Sequence, residues 1–230
     1  MKSQERMLQI NTIMEKRAIL YDWMRQVFIS EPSLAFIKDM TRAVESIQLS
    51  GLSDEERLFI LFFQELKIEE CVPLHNEIKP EYARLFIGPK QKLAPPYESI
   101  YRSTSRTFFG ESTLQIREYY EKADLQVEKL NSEPDDHIGL ELEYMFYMSV
   151  KTYESTLKDG DVKVVSELLN SQLSFLEQHL AVWVTPFTDD IIEHSNLEFF
   201  RVSARFLNYF IIQDIEVSRG CLKLLHGKQE

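Results

Sequence analysis

The sequence is poor in glycine, with 7 glycines among its 230 residues. Proteins contain about 7% glycine on average, so this chain has few positions for tight turns or Gly-rich phosphate loops. Leu, Glu, Lys, Met and Phe are plentiful instead, and their abundance favours helices over strands. We therefore expect a single all-α domain over residues 1–230, long enough to bury its own core without metals or disulfides.

Cysteine is also scarce. The chain has two, Cys71 and Cys221, and they form no CxxC pair or other zinc pattern. A disulfide framework and a structural zinc site are both disfavoured, and two buried, reduced thiols are expected. The N-terminal residues 1–17 contain no continuous apolar run of the kind found in secretory signals. Both features predict a cytoplasmic location.

Long apolar runs and excess positive charge are missing as well. The most apolar segment, residues 199–212, is interrupted by Arg201 and Arg205, so direct membrane insertion is not expected. Lys and Arg total 26 against 37 Asp and Glu, which gives a net charge of −11. Such a charge repels nucleic acid and attracts cationic ligands. Nucleic acid is therefore not an expected partner.

The patterns that are present are helical. Apolar residues recur at helical spacing between Ile10 and Phe28 and predict a first helix over about residues 4–29. Ser53-Asp-Glu-Glu56 is a capping box that opens a helix through Leu66. Pro73 and Pro186 are interpreted as helix breaks. Further helices are predicted from Ser112 to about Ala123, from the cap at 132–135, from about Asp161 through Trp183, and from the cap at 195–198 through the aligned residues 199–217.

Residues 88–103, GPKQKLAPPYESIYRS, interrupt this pattern. Pro95 and Pro96 impose stiff, extended geometry, and the segment 88–107 is predicted to be irregular. The prolines could simply give a rigid path between helices. Tyr97 and Tyr101 beside them offer large, half-polar contact surfaces, which are typical of recognition sites.

Acidic and histidine residues form a second candidate site. Asp135, Asp136 and His137 are predicted in the first turn of a helix, either as a favourable cap or as an anionic docking point. His137 and Glu141 are one turn apart, and with Asp136 and His179 they could hold a metal in a helical enzyme. His179 lies between Phe175 and Trp183 on one helix face, which favours a packed core histidine instead. The sequence has no GxSxG, HExxH or Walker A motif, and we expect neither catalysis nor a cofactor.

Four motifs in one order resemble the TorD/DmsD redox-enzyme maturation chaperones, which are all-helical proteins serving molybdenum-cofactor enzymes. The motifs are Tyr82-x-x-Leu85-Phe86-x-Gly88-Pro89, Pro95-Pro96-Tyr97-Glu98-Ser99-x-Tyr101, Glu133-Pro134-Asp135-Asp136-His137-x-Gly139 and Phe175-x-x-x-His179-Leu180-x-x-Trp183-x-x-x-Phe187. They span residues 82–187, and the first 70 residues add mainly helical character. Pro96-Tyr97-Glu98-Ser99 departs from the Pro-Trp-Gly-Ser found in many members that serve dimethyl-sulfoxide-type reductases.

The resemblance implies a non-enzymatic chaperone that binds the twin-arginine signal peptide and the apo form of a molybdoenzyme. It would assist cofactor insertion and proofread export, with cofactor-biosynthesis proteins as further candidate partners. The peptide-binding residues that it implies are Leu85, Phe86, Pro96, Tyr97, Ser99, Tyr101, Asp136 and His137. The side chains of Tyr97 and Asp136 are expected to face the peptide, and Trp183 to lie in the core. The client enzyme and the choice between a monomer and a domain-swapped dimer stay open.

Overall fold

The computed structural model of the protein describes residues 2–88, 92–102, 111–125, 134–158 and 160–227. The regular secondary structure of these residues is helical, and an isolated antiparallel bridge joins Tyr97 to His137. The α-helices are α1 (Lys2–Phe28), α2 (Leu34–Val44), α3 (Asp54–Glu65), α4 (Cys71–Tyr82), α5 (Glu98–Arg102), α6 (Glu111–Lys122), α7 (Ile138–Lys158), α8 (Val162–Phe175), α9 (Ala181–His194) and α10 (Glu198–His226). The prediction of an all-α protein is confirmed.

Shorter helical pieces lie beside these helices. Ile68–Glu70 forms a 3₁₀ turn, and Ala83–Ile87 and Leu176–Leu180 form π-helical segments. Gly88 ends the first π segment with a φ of 57°, a conformation that glycine adopts at little cost. π-Helical turns are rare and often mark functional sites.

Local capping determines the start of α3. The Ser53 hydroxyl accepts a hydrogen bond from the backbone N–H of Glu56 at 3.1 Å. The Glu56 carboxylate in turn accepts from the backbone N–H of Ser53 at 2.8 Å. The predicted capping box is therefore confirmed, and it satisfies two N–H groups that the helix itself leaves unpaired.

Two predicted proline breaks were wrong. Pro73 lies in the first turn of α4, where backbone N–H groups need no partner within the helix. Pro186 lies inside α9 and does not end it. Its neighbour Phe187 is fully buried, and packing of an apolar face can outweigh the single helical hydrogen bond that proline removes.

The segment 88–107 was predicted to be irregular, and this too needs correction. Residues 98–102 form the single-turn helix α5 within it. Residues 89–91 and 103–107 lie outside the described residues, so the prediction for them is untested. Glu133, part of the third motif, also lies outside them.

The chain divides into two compact units. Unit 1 comprises Met1–Arg25, Tyr97–Trp183 and Ile211–Glu230, and unit 2 comprises Gln26–Pro96 and Val184–Phe210. The boundaries fall inside α1, α9 and α10 and after Pro96. A single functional domain over residues 1–230 stays a prediction.

The core of unit 1 combines apolar packing with a buried ion pair. Its apolar cluster consists of Met7, Ile10, Met14, Val165, Leu169, Cys221 and Leu225. Arg17 on α1 is 3% exposed and pairs with Asp214 on α10 at 2.6 Å. A second guanidinium nitrogen of Arg17 donates to Gln172 on α8 at 2.7 Å. These directional bonds join three helices in one arrangement.

The core of unit 2 is rich in aromatic rings. Phe86 contacts Tyr82 at a centroid distance of 4.9 Å and Phe200 at 5.6 Å. Phe59 stacks on Phe206 at 4.6 Å. Cys71 is buried in this unit, and both cysteines are free and buried, as expected. No described helix has the length and hydropathy that crossing a bilayer requires.

Candidate functional site

In unit 1, the segment around α5 is joined to the turn that precedes α7. The backbone N–H of Glu98 donates to the carbonyl of Asp136 at 3.0 Å, next to the bridge between Tyr97 and His137. The rings of Tyr97 and His137 meet edge to face at 5.3 Å. Two of the sequence motifs, far apart in the chain, therefore form one local structure.

The Asp136 carboxylate holds this junction together. Oδ2 accepts from the backbone N–H of Ser99 at 2.7 Å, and Oδ1 accepts from the Thr113 hydroxyl at 3.0 Å. Asp136 is fully buried and Tyr97 is 6% exposed. In this structure both side chains are buried, contrary to the expectation that they face a peptide and not the core, because the carboxylate accepts from one donor on α5 and one on α6.

The start of α7 also differs from the prediction. Asp135 and Asp136 form a turn before the helix, which begins at Ile138. His137 caps it, since its Nδ1 accepts from the backbone N–H of Gly139 at 3.0 Å. The residue that caps α7 is therefore His137, which was expected inside the first turn.

Asp135 is held by a separate pair of contacts. Its carboxylate receives Arg117 Nε at 2.7 Å and Nη2 at 2.6 Å. Its backbone carbonyl accepts from the Tyr120 hydroxyl at 3.0 Å. Both partners come from α6, so this helix holds the turn before α7 in place.

Glu98 is a buried acid that forms the next contacts. It has no exposed surface, and its carboxylate lies 3.0 Å from Nδ1 of His179 and pairs with Arg102. His179 is 1% exposed and packs on Phe175 at 5.1 Å. The interpretation of His179 as a packed core histidine is confirmed.

Glu141 is buried in the same region but has fewer hydrogen bonds than Glu98 or Asp136. Its Oε2 accepts a long hydrogen bond of 3.4 Å from Trp183 Nε1, while its Oε1 has no hydrogen-bond partner among the residues that the structure describes. Burial raises the pKa of Glu141 well above its ordinary value of 4.5, and the neighbouring Glu98 and Asp136 raise it further. Ser99 Oγ is a second buried atom without a partner. The region is therefore polar and enclosed, and two of its buried oxygen atoms lack hydrogen-bond partners among the described residues.

The alternative of a metal-dependent enzyme finds no support in this geometry. Within the part of the chain that the structure describes, no group of three or more His, Cys, Asp or Glu side chains could hold a metal ion. His179 lies against Glu98, and Nδ1 of His137 is used by the backbone of α7. The Asp136 carboxylate accepts from two donors, and Glu141 accepts from Trp183.

Five of the eight predicted peptide-binding residues belong to unit 1, namely Tyr97, Ser99, Tyr101, Asp136 and His137. Tyr101 is half-buried and stacks on the fully buried Trp183 with ring centroids 5.6 Å apart. The other four are at most 6% exposed. Tyr101 is therefore the member of this group with the most surface for a ligand.

The other three predicted residues, Leu85, Phe86 and Pro96, belong to unit 2. Leu85 is fully buried, and its carbonyl accepts from the backbone N–H of Ala94 at 3.0 Å. Phe86 is 3% exposed within the aromatic core. Peptide contact by any of the eight residues stays a prediction.

Sequence reasoning did not assign roles to Glu98, Thr113, Arg117 and Tyr120. Glu98 lies within the second of the four sequence motifs. Its charge among apolar neighbours was the signal that could have indicated a buried acid. Nothing in local spacing connects the three residues of α6 to the acidic pair, because those contacts cross between elements.

Fold and site together define an all-helical protein in which buried acids hold the described junction between α5 and the turn before α7. The model of the nitrate reductase delta subunit family matches residues 64–189, more than half of the chain. The chain belongs to this family, the TorD/DmsD family of redox-enzyme maturation chaperones. The resemblance found in the sequence is confirmed.

Individual relatives agree with this membership. A "Chaperone protein TorD" of Vibrio cholerae is 27% identical over 216 residues, which cover 90% of this chain and 94% of the relative. A "Probable Tat proofreading chaperone DmsD" of Haemophilus influenzae is 27% identical over 131 residues, 57% of each chain. A solved structure of a putative redox enzyme maturation protein from Archaeoglobus fulgidus matches the fold with a TM-score of 0.50 and 23% identity, covering 85% of this chain and 93% of that one.

Proposed function

We propose that the protein is a cytoplasmic chaperone that binds the twin-arginine signal peptide and the apo form of a molybdenum-cofactor oxidoreductase. It assists cofactor insertion, with cofactor-biosynthesis proteins as possible further partners, and delays export until the client is complete. It needs neither catalysis nor a cofactor of its own. The family match over residues 64–189, with a relative named as a Tat proofreading chaperone, is the observation that carries this proposal.

Electrostatics supports a cationic client segment. The net charge of −11 attracts arginines over a distance of about one Debye length, roughly 8–10 Å at physiological salt. The attraction speeds encounter more than it strengthens the final complex. A leader that pairs arginines with an apolar run would be guided to such a protein and then held by apolar contacts.

We assign leader binding to the surface around α5 and the turn before α7. In this assignment Tyr101 contacts the peptide, while Tyr97, Ser99, Asp136 and His137 hold the surface in shape from within. Leu85, Phe86 and Pro96 keep the role implied by family membership as a prediction for unit 2. In the free protein these side chains are buried and contribute to the packing of unit 2.

The test is calorimetric. The oxidoreductase that co-purifies from native lysate identifies the leader, and the synthetic leader is titrated into the purified chaperone. Tyr101→Ala should raise the dissociation constant about thirtyfold, since a central aromatic contact is worth about 2 kcal/mol. Tyr209→Ala removes another half-buried tyrosine, on α10, and serves as the matched control.

The outcome is clear in either direction. A leader that fails to bind the folded wild-type protein at 100-fold excess contradicts the proposed function. Equal affinity in the Tyr101→Ala and wild-type proteins contradicts the assigned surface only. Exchange of the leader's arginines for glutamines should weaken binding, and no effect of that exchange would argue against the electrostatic contribution.

A further inference from the structure

A groove lies between α1 and α7 in unit 1, away from the contacts described above. Its volume is about 440 Å³. Apolar and aromatic side chains form most of its walls, and two carboxylates complete them. The lining residues are Glu15, Ala18, Ile19, Asp22, Trp23, Phe146, Val150 and Tyr153.

The spacing of these residues gives the groove a direction and a length. Glu15, Ile19 and Trp23 are four residues apart along α1, so they share one face and span about 12 Å at 1.5 Å per residue. Phe146 and Val150 recur with the same spacing on α7. The groove therefore follows the helices for about two turns, enough for two or three side chains of an extended or helical segment.

The apolar wall is accessible to a partner. Ile19 is 45% exposed and Trp23 is half-buried, whereas Trp183, the second tryptophan of the chain, is fully buried. Exposed aromatic and aliphatic side chains that line a concave surface are the usual anchors of helix-in-groove recognition.

At one end of the groove, an arginine of the chain itself already occupies a carboxylate and an aromatic face. The Arg25 guanidinium pairs with Asp22 at 2.7 Å and lies over the Phe146 ring at 5.1 Å. This combination of carboxylate and aromatic face is a favourable arginine environment. Glu15, about 10 Å further along α1, has no basic side chain paired with it among the described residues. The groove thus offers an acidic position next to an apolar wall.

We propose that this groove is a docking surface for a cationic, apolar segment of the client's leader, distinct from the surface around α5. An arginine or lysine of the segment pairs with Glu15, and a large apolar side chain one or two turns away packs on Ile19 and Trp23. This inference rests on the proposed function, because that function supplies a partner with adjacent arginines and apolar residues. The complementary charge of the groove selects that segment over an acidic one.

Trp23 provides a direct probe. The synthetic leader of the co-purified client is titrated while tryptophan emission and its quenching by acrylamide are recorded. Binding in the groove should change the emission and reduce the quenching of wild-type protein. The reduction in quenching should disappear in Trp23→Phe, because the remaining tryptophan, Trp183, is fully buried; Trp183 stacks on Tyr101 and can still report binding at the surface around α5 through its emission.

Charge and apolar contacts are separated by paired variants. Glu15→Lys and Ile19→Asp should each weaken leader binding at least fivefold. Glu121→Lys on α6 makes the same charge change, and Ile212→Asp on α10 alters an isoleucine that is 41% exposed outside the groove. The two controls should bind within twofold of wild type. Circular dichroism checks that all four are folded.

Each result separates the groove from the proposed function. Calorimetry could detect leader binding while the quenching of Trp23 does not change on titration and all groove variants bind the leader with wild-type affinity. In that case the groove assignment is wrong and the proposed function stands. If no leader binding occurs by either method, the proposed function fails and the groove assignment fails with it. If the protection of Trp23 from acrylamide depends on chaperone concentration alone, and sedimentation detects dimers, the groove is an interface between two copies of the chain. This result would also overturn the inference.

Discussion

Replacing Glu141 by glutamine should stabilise the protein at neutral pH. Glu141 is fully buried on α7, its Oε1 has no partner, and its Oε2 receives one long hydrogen bond from Trp183. The charged groups that face it are Glu98 and Asp136, which oppose its ionisation, and Arg102, which favours it. Glutamine has nearly the same shape and cannot ionise.

The magnitude follows from proton linkage. Because the folded-state pKa of Glu141 is above its ordinary 4.5, the unfolded chain loses this proton at lower pH than the folded chain does. As the pH rises above 4.5, the wild-type protein therefore loses about 1.4 kcal/mol of unfolding free energy per pH unit from this group, until the pH exceeds the folded-state pKa. Glu141→Gln removes that loss, and its advantage should be small near pH 4 and grow as the pH rises.

Scanning calorimetry or urea unfolding at pH 4.5, 6 and 7.5 measures the difference. For a chain of this size, each 1.4 kcal/mol corresponds to about 3–6 °C in Tm. Glu154→Gln removes an exposed carboxylate from the same helix and should show almost no growth with pH.

The reasoning is refuted if the advantage of Glu141→Gln stays constant or shrinks between pH 4.5 and 7.5. A variant that is less stable at every pH would mean that the ionised carboxylate makes a favourable interaction. In that case burial would not be the dominant influence on Glu141.

Three further predictions concern stability and association. Asp136→Ala should lower the unfolding free energy by about 2–4 kcal/mol, because the buried donors of Ser99 and Thr113 lose their acceptor; calorimetry checks this, and an unchanged Tm would contradict it. Trp183→Ala should cost about 3–5 kcal/mol in urea unfolding, since its ring is fully buried, and a neutral result would conflict with that burial. Raising salt from 50 to 500 mM should slow leader association in stopped-flow experiments more than it speeds dissociation, and salt-independent association would rule out steering by the acidic charge.

Local chemistry allowed the helices to be predicted. The capping box at Ser53 and the glycine stop at Gly88 act within one helical turn, so residues close in sequence determine the result. The prolines were less informative. Pro73 and Pro186 were expected to break helices, but position within the helix and the packing of neighbours decided otherwise.

The sequence by itself determined an acidic, all-helical protein and its family, because composition, periodicity and ordered motifs are properties of the chain. The tertiary structure alone decided which motif residues are buried. Ser99 and Asp136 are 37 residues apart in the chain, and Glu98 and His179 are 81 apart. Charged residues are usually exposed, and only partners brought from such distances can offset the cost of desolvating them. The groove between α1 and α7 could not be predicted from the sequence either, because it forms only where the faces of two helices distant in the chain meet.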